Sequence, residues 1–172
     1  MRDPLSKKER SILMSKVRSR GNVSTELAVE SVLKVNNITG WRKHPREIIG
    51  RPDFYFPVLK LVIFVDGCFW HSCSKCGRIP KSRTKFWTNK IANNCRRDKR
   101  IRRQLRKTGF AVMRIWEHEL ARANENRLAN RIKRFLHSNN FRLISSERKN
   151  RDNQSIEHRG CCQRRAKPQL AL

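Results

Sequence analysis

Twelve consecutive residues, Val65-Asp66-Gly67-Cys68-Phe69-Trp70-His71-Ser72-Cys73-Ser74-Lys75-Cys76, gather three thiols, an imidazole, a carboxylate and two large aromatic rings. Thiolates are soft ligands, and cysteines separated by such short gaps can converge on one tetrahedral zinc ion. A structural zinc wants a fourth donor, for which His71, Cys95, His118, Cys161 and Cys162 are the candidates. His118 follows a strand-like run ending at Trp116 and can reach the thiols if that strand pairs with the one leading into Cys68. The tail cysteines have nothing to order them. Phe69 and Trp70 have no task in a purely structural knuckle, whereas a surface that stacks on bases would use both.

A second group of residues suits a harder cation. Pro52-Asp53 opens one strand-like segment, and the next ends at Val65-Asp66. Carboxylates at neighbouring strand ends, joined by Glu26 from a preceding helix, are oxygen donors of the kind Mg²⁺ takes while keeping sites for water and phosphate. His71 follows at the same edge and could accept a proton from an attacking water near neutral pH. Each signal has a plainer reading: Pro-Asp often just begins a strand, Glu26 suits a helix N-terminus for its charge alone, and His71 could be a zinc ligand.

The elements that must carry these residues follow from periodicity. Ser6-Lys7-Lys8-Glu9 is a capping-box pattern before Ile12, Leu13 and Val17, and predicts a short basic helix in an N-terminal arm, residues 1–21. Leu27, Ala28, Ser31, Val32 and Val35 share a face of a second helix. Trp41 to His44 suggests a short strand, then residues 51–57 and Leu59 to Asp66 two more joined by a tight turn. The last is apolar at nearly every position, so both its faces should be covered. Thr84 to Lys107 reads as a long helix, Phe110 to Trp116 as a buried strand, and Leu128, Ile132, Phe135 and Leu136 mark a final helix. The order predicts an α/β sandwich around a small mixed sheet. Along the long helix, Trp87, Ile91, Asn94, Asp98, Ile101 and Leu105 fall on one face, so Asn94 and Asp98 interrupt an inward stripe and need partners. Residues 141–172 are polar and aperiodic and are expected to be a disordered basic tail.

Forty-one Lys and Arg face 14 acids, a net charge of +27. Residues 141–172 hold eight Lys/Arg and three acids, so +22 of that charge stays on residues 1–140. The folded part is itself basic, which points to nucleic acid as the polyanionic partner. No apolar run reaches membrane-spanning length and no signal-peptide pattern opens the chain, so a cytoplasmic, nucleoid-associated protein with reduced cysteines is expected.

Arg51-Pro52-Asp53-Phe54 followed by Val62-Ile63-Phe64-Val65-Asp66-Gly67-Cys68-Phe69-Trp70-His71 resembles the very short patch repair endonucleases. Arg78-Ile79-Pro80 through Phe86-Trp87, Asn94 to Asp98 and Ile115-Trp116-Glu117-His118 extend the likeness, as do Leu5-Ser6 through Met14-Ser15 and Thr25-Glu26-Leu27, over about residues 3–137. The resemblance implies a three-layer restriction-endonuclease-like α/β fold in residues 1–140, with a structural zinc site. It implies Mg²⁺-dependent nicking of double-stranded DNA 5′ to the T of a T:G mismatch, the first step in repairing deaminated 5-methylcytosine, by a monomer. Carried over by position, Asp53 and the Val65 carbonyl would hold Mg²⁺, and His71 would be the general base. Glu26 and Asp98 would act as supporting acids. Cys68, Cys73, Cys76 and His118 would hold zinc, and Phe69, Trp70 and Trp87 would wedge into the base stack. The chain departs from the pattern of many nucleases of this fold, where an acid-x-Lys triplet stands at Asp66-Gly67-Cys68, and Cys76 stands where many relatives have His. Two rivals stay open: a non-catalytic zinc-containing DNA-binding protein, and a restriction-type nuclease cutting matched duplex.

Overall fold

The computed structural model describes Ser6, Lys8, Glu9, Ile12 and residues 25–140. Within the arm the capping box is formed: the Ser6 N–H donates to Glu9 Oε2 at 2.8 Å, and the Glu9 N–H to Ser6 Oγ at 3.2 Å. Tail residues 141–172, with Cys161 and Cys162, lie outside the described residues.

Four strands form one sheet in the order β1-β2-β3-β4. They are β1 (Arg42–Lys43), β2 (Phe54–Phe56), β3 (Leu61–Asp66) and β4 (Ala111–Trp116). The first three run antiparallel in succession, and β4 pairs parallel with β3 from Leu61↔Ala111 to Asp66↔Trp116. A parallel pair needs a crossover. It is supplied by the 24-residue helix α2 (Thr84–Lys107), whereas β2 and β3 need only the turn closed by Lys60 N–H to Pro57 O at 3.1 Å.

Because β3 alternates between two buried faces, it nucleates two cores. Leu61 and Ile63 join Phe54, Phe56, Met113 and Ile115 on one face, under α1 (Glu26–Val35) and α3 (residues 125–140), through Val29, Leu33, Leu128 and Ile132. Val62 and Phe64 face the other way, with Tyr55 and Val112, and are covered by Ile101 and Leu105 of α2. The three-layer sandwich and the mixed sheet are as the sequence predicts. The differences are at the ends: β1 spans two residues where four were expected, and β2 three.

Period two also sets which polar side chains face helix α2. Asp66 and Arg114 share the α2 face of β3 and β4 and meet Asp98 of that helix. Two short 3₁₀ turns, Glu117–Leu120 and Arg122–Asn124, lead from β4 into α3. Among the described residues no helix is long and apolar enough to cross a membrane.

Candidate active site and metal centre

The zinc-type cluster is assembled from two loops at the same end of the parallel pair. Since Asp66 is in register with Trp116, the chain leaving β3 and the chain leaving β4 emerge side by side. Cys68, Cys73, Cys76 and His118 then bring their donor atoms within 4.8 Å of one another. His118 Nδ1 lies 3.3, 3.5 and 3.6 Å from the sulfurs of Cys68, Cys73 and Cys76, and the Cys73 and Cys76 sulfurs are 3.5 Å apart. A tetrahedral zinc with sulfur at about 2.3 Å and nitrogen at about 2.0 Å separates its ligands by about 3.5 Å, so the donor set fits the ion. Burial and the neighbouring thiols push Cys68 up to about 12. At Cys73 burial also opposes ionisation, but hydrogen bonds from the Cys76 and Lys75 backbone and from the neighbouring thiols outweigh it and hold that thiol below its ordinary value. Backbone bonds brace the loop: Cys73 N–H to Cys68 O at 3.0 Å, Gly77 N–H to Cys73 O at 2.8 Å, and Cys68 N–H to Glu117 Oε2 at 3.1 Å. Of the other candidate ligands, Cys95 is turned to the His71 carbonyl, at 3.5 Å, and His71 is engaged elsewhere.

Beside this knot, Asp53, Glu26, Asp66, His71 and Asp98 all line one cavity of about 820 Å³, as does Val65. Asp53 lies at the start of β2 and accepts from the Val65 N–H at 2.6 Å. Its carboxyl clusters with Glu26 of α1 and with His44, whose Nε2 is 2.9 Å from Glu26 Oε2. Burial drives Asp53 up to about 7, and the charges of Glu26 and Asp66 add to the effect against the Val65 hydrogen bond. A cation bound beside such a carboxyl would offset the cost of its buried charge and favour the ionised form.

His71 clusters instead with Asp66 and Asp98. Its Nδ1 is 2.5 Å from Asp98 Oδ2. Burial opposes the Asp98 charge, but the bonds from His71 and Arg114 outweigh it and hold Asp98 at about 2. Asp66, only 3% exposed, is gripped by both arms of Arg114, and one of those arms also reaches Asp98 at 3.0 Å and His71 Nδ1 at 3.3 Å. Asp66, which the sequence suggests as a cation ligand beside Asp53, is instead paired with a guanidinium and stands apart from the Glu26–His44–Asp53 group. The polar interruption in the α2 stripe is likewise satisfied, since Asn94 donates to the Trp70 carbonyl at 3.0 Å.

Phe69, Trp70 and Trp87 form one aromatic cluster with centroids 5.0–6.0 Å apart. Phe86 extends it at 5.2 Å from Trp87 and is 51% exposed. Sequence reasoning passed over Phe86, His44 and Arg114 as participants. For Arg114 the alternation of β4 was the available signal, a charged residue on an inward position; for His44 only its place one residue past β1 hinted at it.

An acid-lined cleft with a His–Asp pair, set in a strongly basic helix-flanked sheet, is the layout of a nuclease. The profile of the family described as DNA mismatch endonuclease Vsr matches residues 2–78. The type II nicking enzyme V.NmeAIP of Neisseria meningitidis is 39% identical over 140 residues, covering 77% of this chain and 98% of that one. The DNA mismatch endonuclease Vsr of Escherichia coli is 34% identical over 119 residues, 68% of this chain and 74% of its own. The catalytic domain of the homing endonuclease I-Bth0305I is similar at a TM-score of 0.46 and 23% identity, over 66% of this chain and 94% of that chain. The chain belongs to the Vsr family and is a DNA endonuclease.

Proposed function

We propose that the protein nicks duplex DNA on the 5′ side of the T in a T:G mismatch, as a Mg²⁺-dependent monomer acting at the nucleoid, and so starts repair of deaminated 5-methylcytosine. The observation that carries the hydrolytic part is the opening of the Asp53 carboxyl onto the same cavity as the His71–Asp98 pair. Asp53 and the Val65 carbonyl would hold Mg²⁺, with Glu26 next to them as a supporting acid. When bound, the ion supplies charge stabilisation at the phosphorus. Asp98 fixes the His71 ring through Nδ1, which leaves Nε2 to take the proton of the attacking water. Arg114 helps to keep Asp98 ionised and holds the Asp66 carboxyl in place. Cys68, Cys73, Cys76 and His118 would hold zinc, whose task is to fix the loop that carries Phe69, Trp70 and His71.

Preference for a mispair is supported by the aromatic cluster and by the name of the Escherichia coli relative, a DNA mismatch endonuclease. T:G is the mispair that the resemblance of the Gly67-Cys68-Phe69-Trp70-His71 string to the very short patch repair endonucleases implies. Phe69, Trp70 and Trp87 would insert beside the mispair, and a wobble pair is cheaper to unstack than a matched one. The direct test is a nicking assay on every mispair and on matched duplex, with and without Mg²⁺. Asp53→Ala should lose nicking by at least 10³-fold, on the order of what a missing metal ligand or general base costs, while still binding duplex. Wild-type binding without cleavage would return the chain to the non-catalytic rival. Double-strand cutting of matched DNA would favour the restriction-type one.

A further inference from the structure

Helix α2 turns one face to the sheet and leaves another covered in positive charge. Lys99, Arg102, Arg103, Arg106 and Lys107 fall at successive steps of three, one, three and one, which places them in a single row, and they alone line a surface depression of about 450 Å³. Asp98 is the only acid in the helix, and it is already taken by His71 and Arg114. Among the described residues, none of the five cations has a carboxylate partner, whereas Lys34, Lys43, Arg42 and Arg131 all do. Lys99 with Arg103, Arg103 with Lys107, and Arg102 with Arg106 are like charges one turn apart, each unfavourable to the helix on its own. The helix dipole accounts for cations in the last turn, at Arg106 and Lys107, but not for the three before them. Arg102 is shared: it lines both this depression and the catalytic cavity.

We propose that this row is a second docking site for double-stranded DNA, gripping the sugar-phosphate backbone of the duplex flanking the scissile phosphodiester. The inference deepens the reading of the chain as a DNA-nicking enzyme and rests on it for the position of the duplex. From Lys99 to Lys107 the helix advances about 12 Å, which corresponds to roughly three phosphates along one strand. The row contributes affinity and orientation without base specificity.

The test is the triple variant R103Q/R106Q/K107Q, which spares Arg102 at the cleft and keeps residues of good helix propensity. Binding to a long, perfectly paired duplex should show a slope of log affinity against log salt shallower by about 2–3, and affinity lower by on the order of 100-fold at 0.15 M salt. A duplex too short to leave the cleft should bind wild type and variant alike, and kcat at saturating DNA should not change. Thermal stability should stay or rise, since repulsion is relieved. An unchanged slope on long duplex would overturn the proposal and leave the face to solvent or an acidic protein, and a fall in Tm would make the row structural. Because binding is read on matched DNA, a failure of T:G nicking would show separately, in the wild type.

Discussion

Two residues decide how His71, the proposed general base, is presented. Asp98 holds Nδ1, and Arg114 holds Asp98 together with Asp66. Arg114→Met should therefore act twice. It strands the buried Asp66 charge, which costs about 3–5 kcal/mol when one partner of a buried pair is removed. It also frees Asp98 to rotate, so kcat should fall more than KM rises; an unchanged kcat in a folded variant would take Arg114 out of the reaction. Arg114→Lys should not rescue it, since an ammonium cannot fork between two carboxylates. Asp98 makes its own prediction about pH. Its pKa in the folded chain, about 2, lies below the ordinary carboxylate value of 3.8. The stability it contributes is present above pH 3.8 and is lost as pH falls towards 2. Asp98→Asn should flatten the acid limb of Tm against pH while lowering kcat, and an acid limb as steep as wild type would contradict the pairing. At this scale the sequence was only partly legible. Cysteines at short gaps and a Gly-Cys-Phe-Trp-His string point to their site directly. Asp66 and Arg114 become partners only through a parallel register that pairs residues 50 apart in sequence, Leu61 with Ala111 to Asp66 with Trp116, which no local pattern encodes.

Among the elements, the loop after β3 is the one whose shape does the most. It carries three thiols, two aromatic rings and His71 within nine positions, and it must turn tightly to do so. Gly77 closes that turn: a Cβ there would sit 2.6 Å from the Cys73 carbonyl oxygen and 2.8 Å from its nitrogen, both backbone atoms that cannot step aside. Gly77→Ala should lower Tm by several degrees and reduce zinc content measured on the purified protein. Cys73→Ala should do the same more strongly, and an unchanged melting curve with either would mean that the cluster does not hold the loop. The helices and the two long strands are readable from periodicity because they each bury a stripe or both faces. The short strands β1 and β2 are not, since two or three residues carry no period, and their limits are set by pairing, β1 with β2 and β2 with β3.

At the level of the whole molecule, the charge is uneven in a way composition alone hides. Acids are few, yet four of the 14 line one cleft: Glu26, Asp53, Asp66 and Asp98. Arg51, Arg97, Arg102 and Arg114 line the same cleft, so its carboxylates are set among guanidiniums in a strongly positive molecule, and a duplex is drawn towards it by its backbone. The joint between the β3 and β4 exits has a further consequence. Cys68 and His118 connect two chain segments that no backbone ladder joins past Asp66 and Trp116, and His71 is strung between two of the thiols. Stripping this knot with a zinc-selective chelator in excess Mg²⁺ should silence cleavage under conditions where circular dichroism still reports intact helices, and returning zinc should restore it. Unfolding and inactivation that coincide at every chelator concentration would mean that the clasp secures the entire sandwich rather than its working corner.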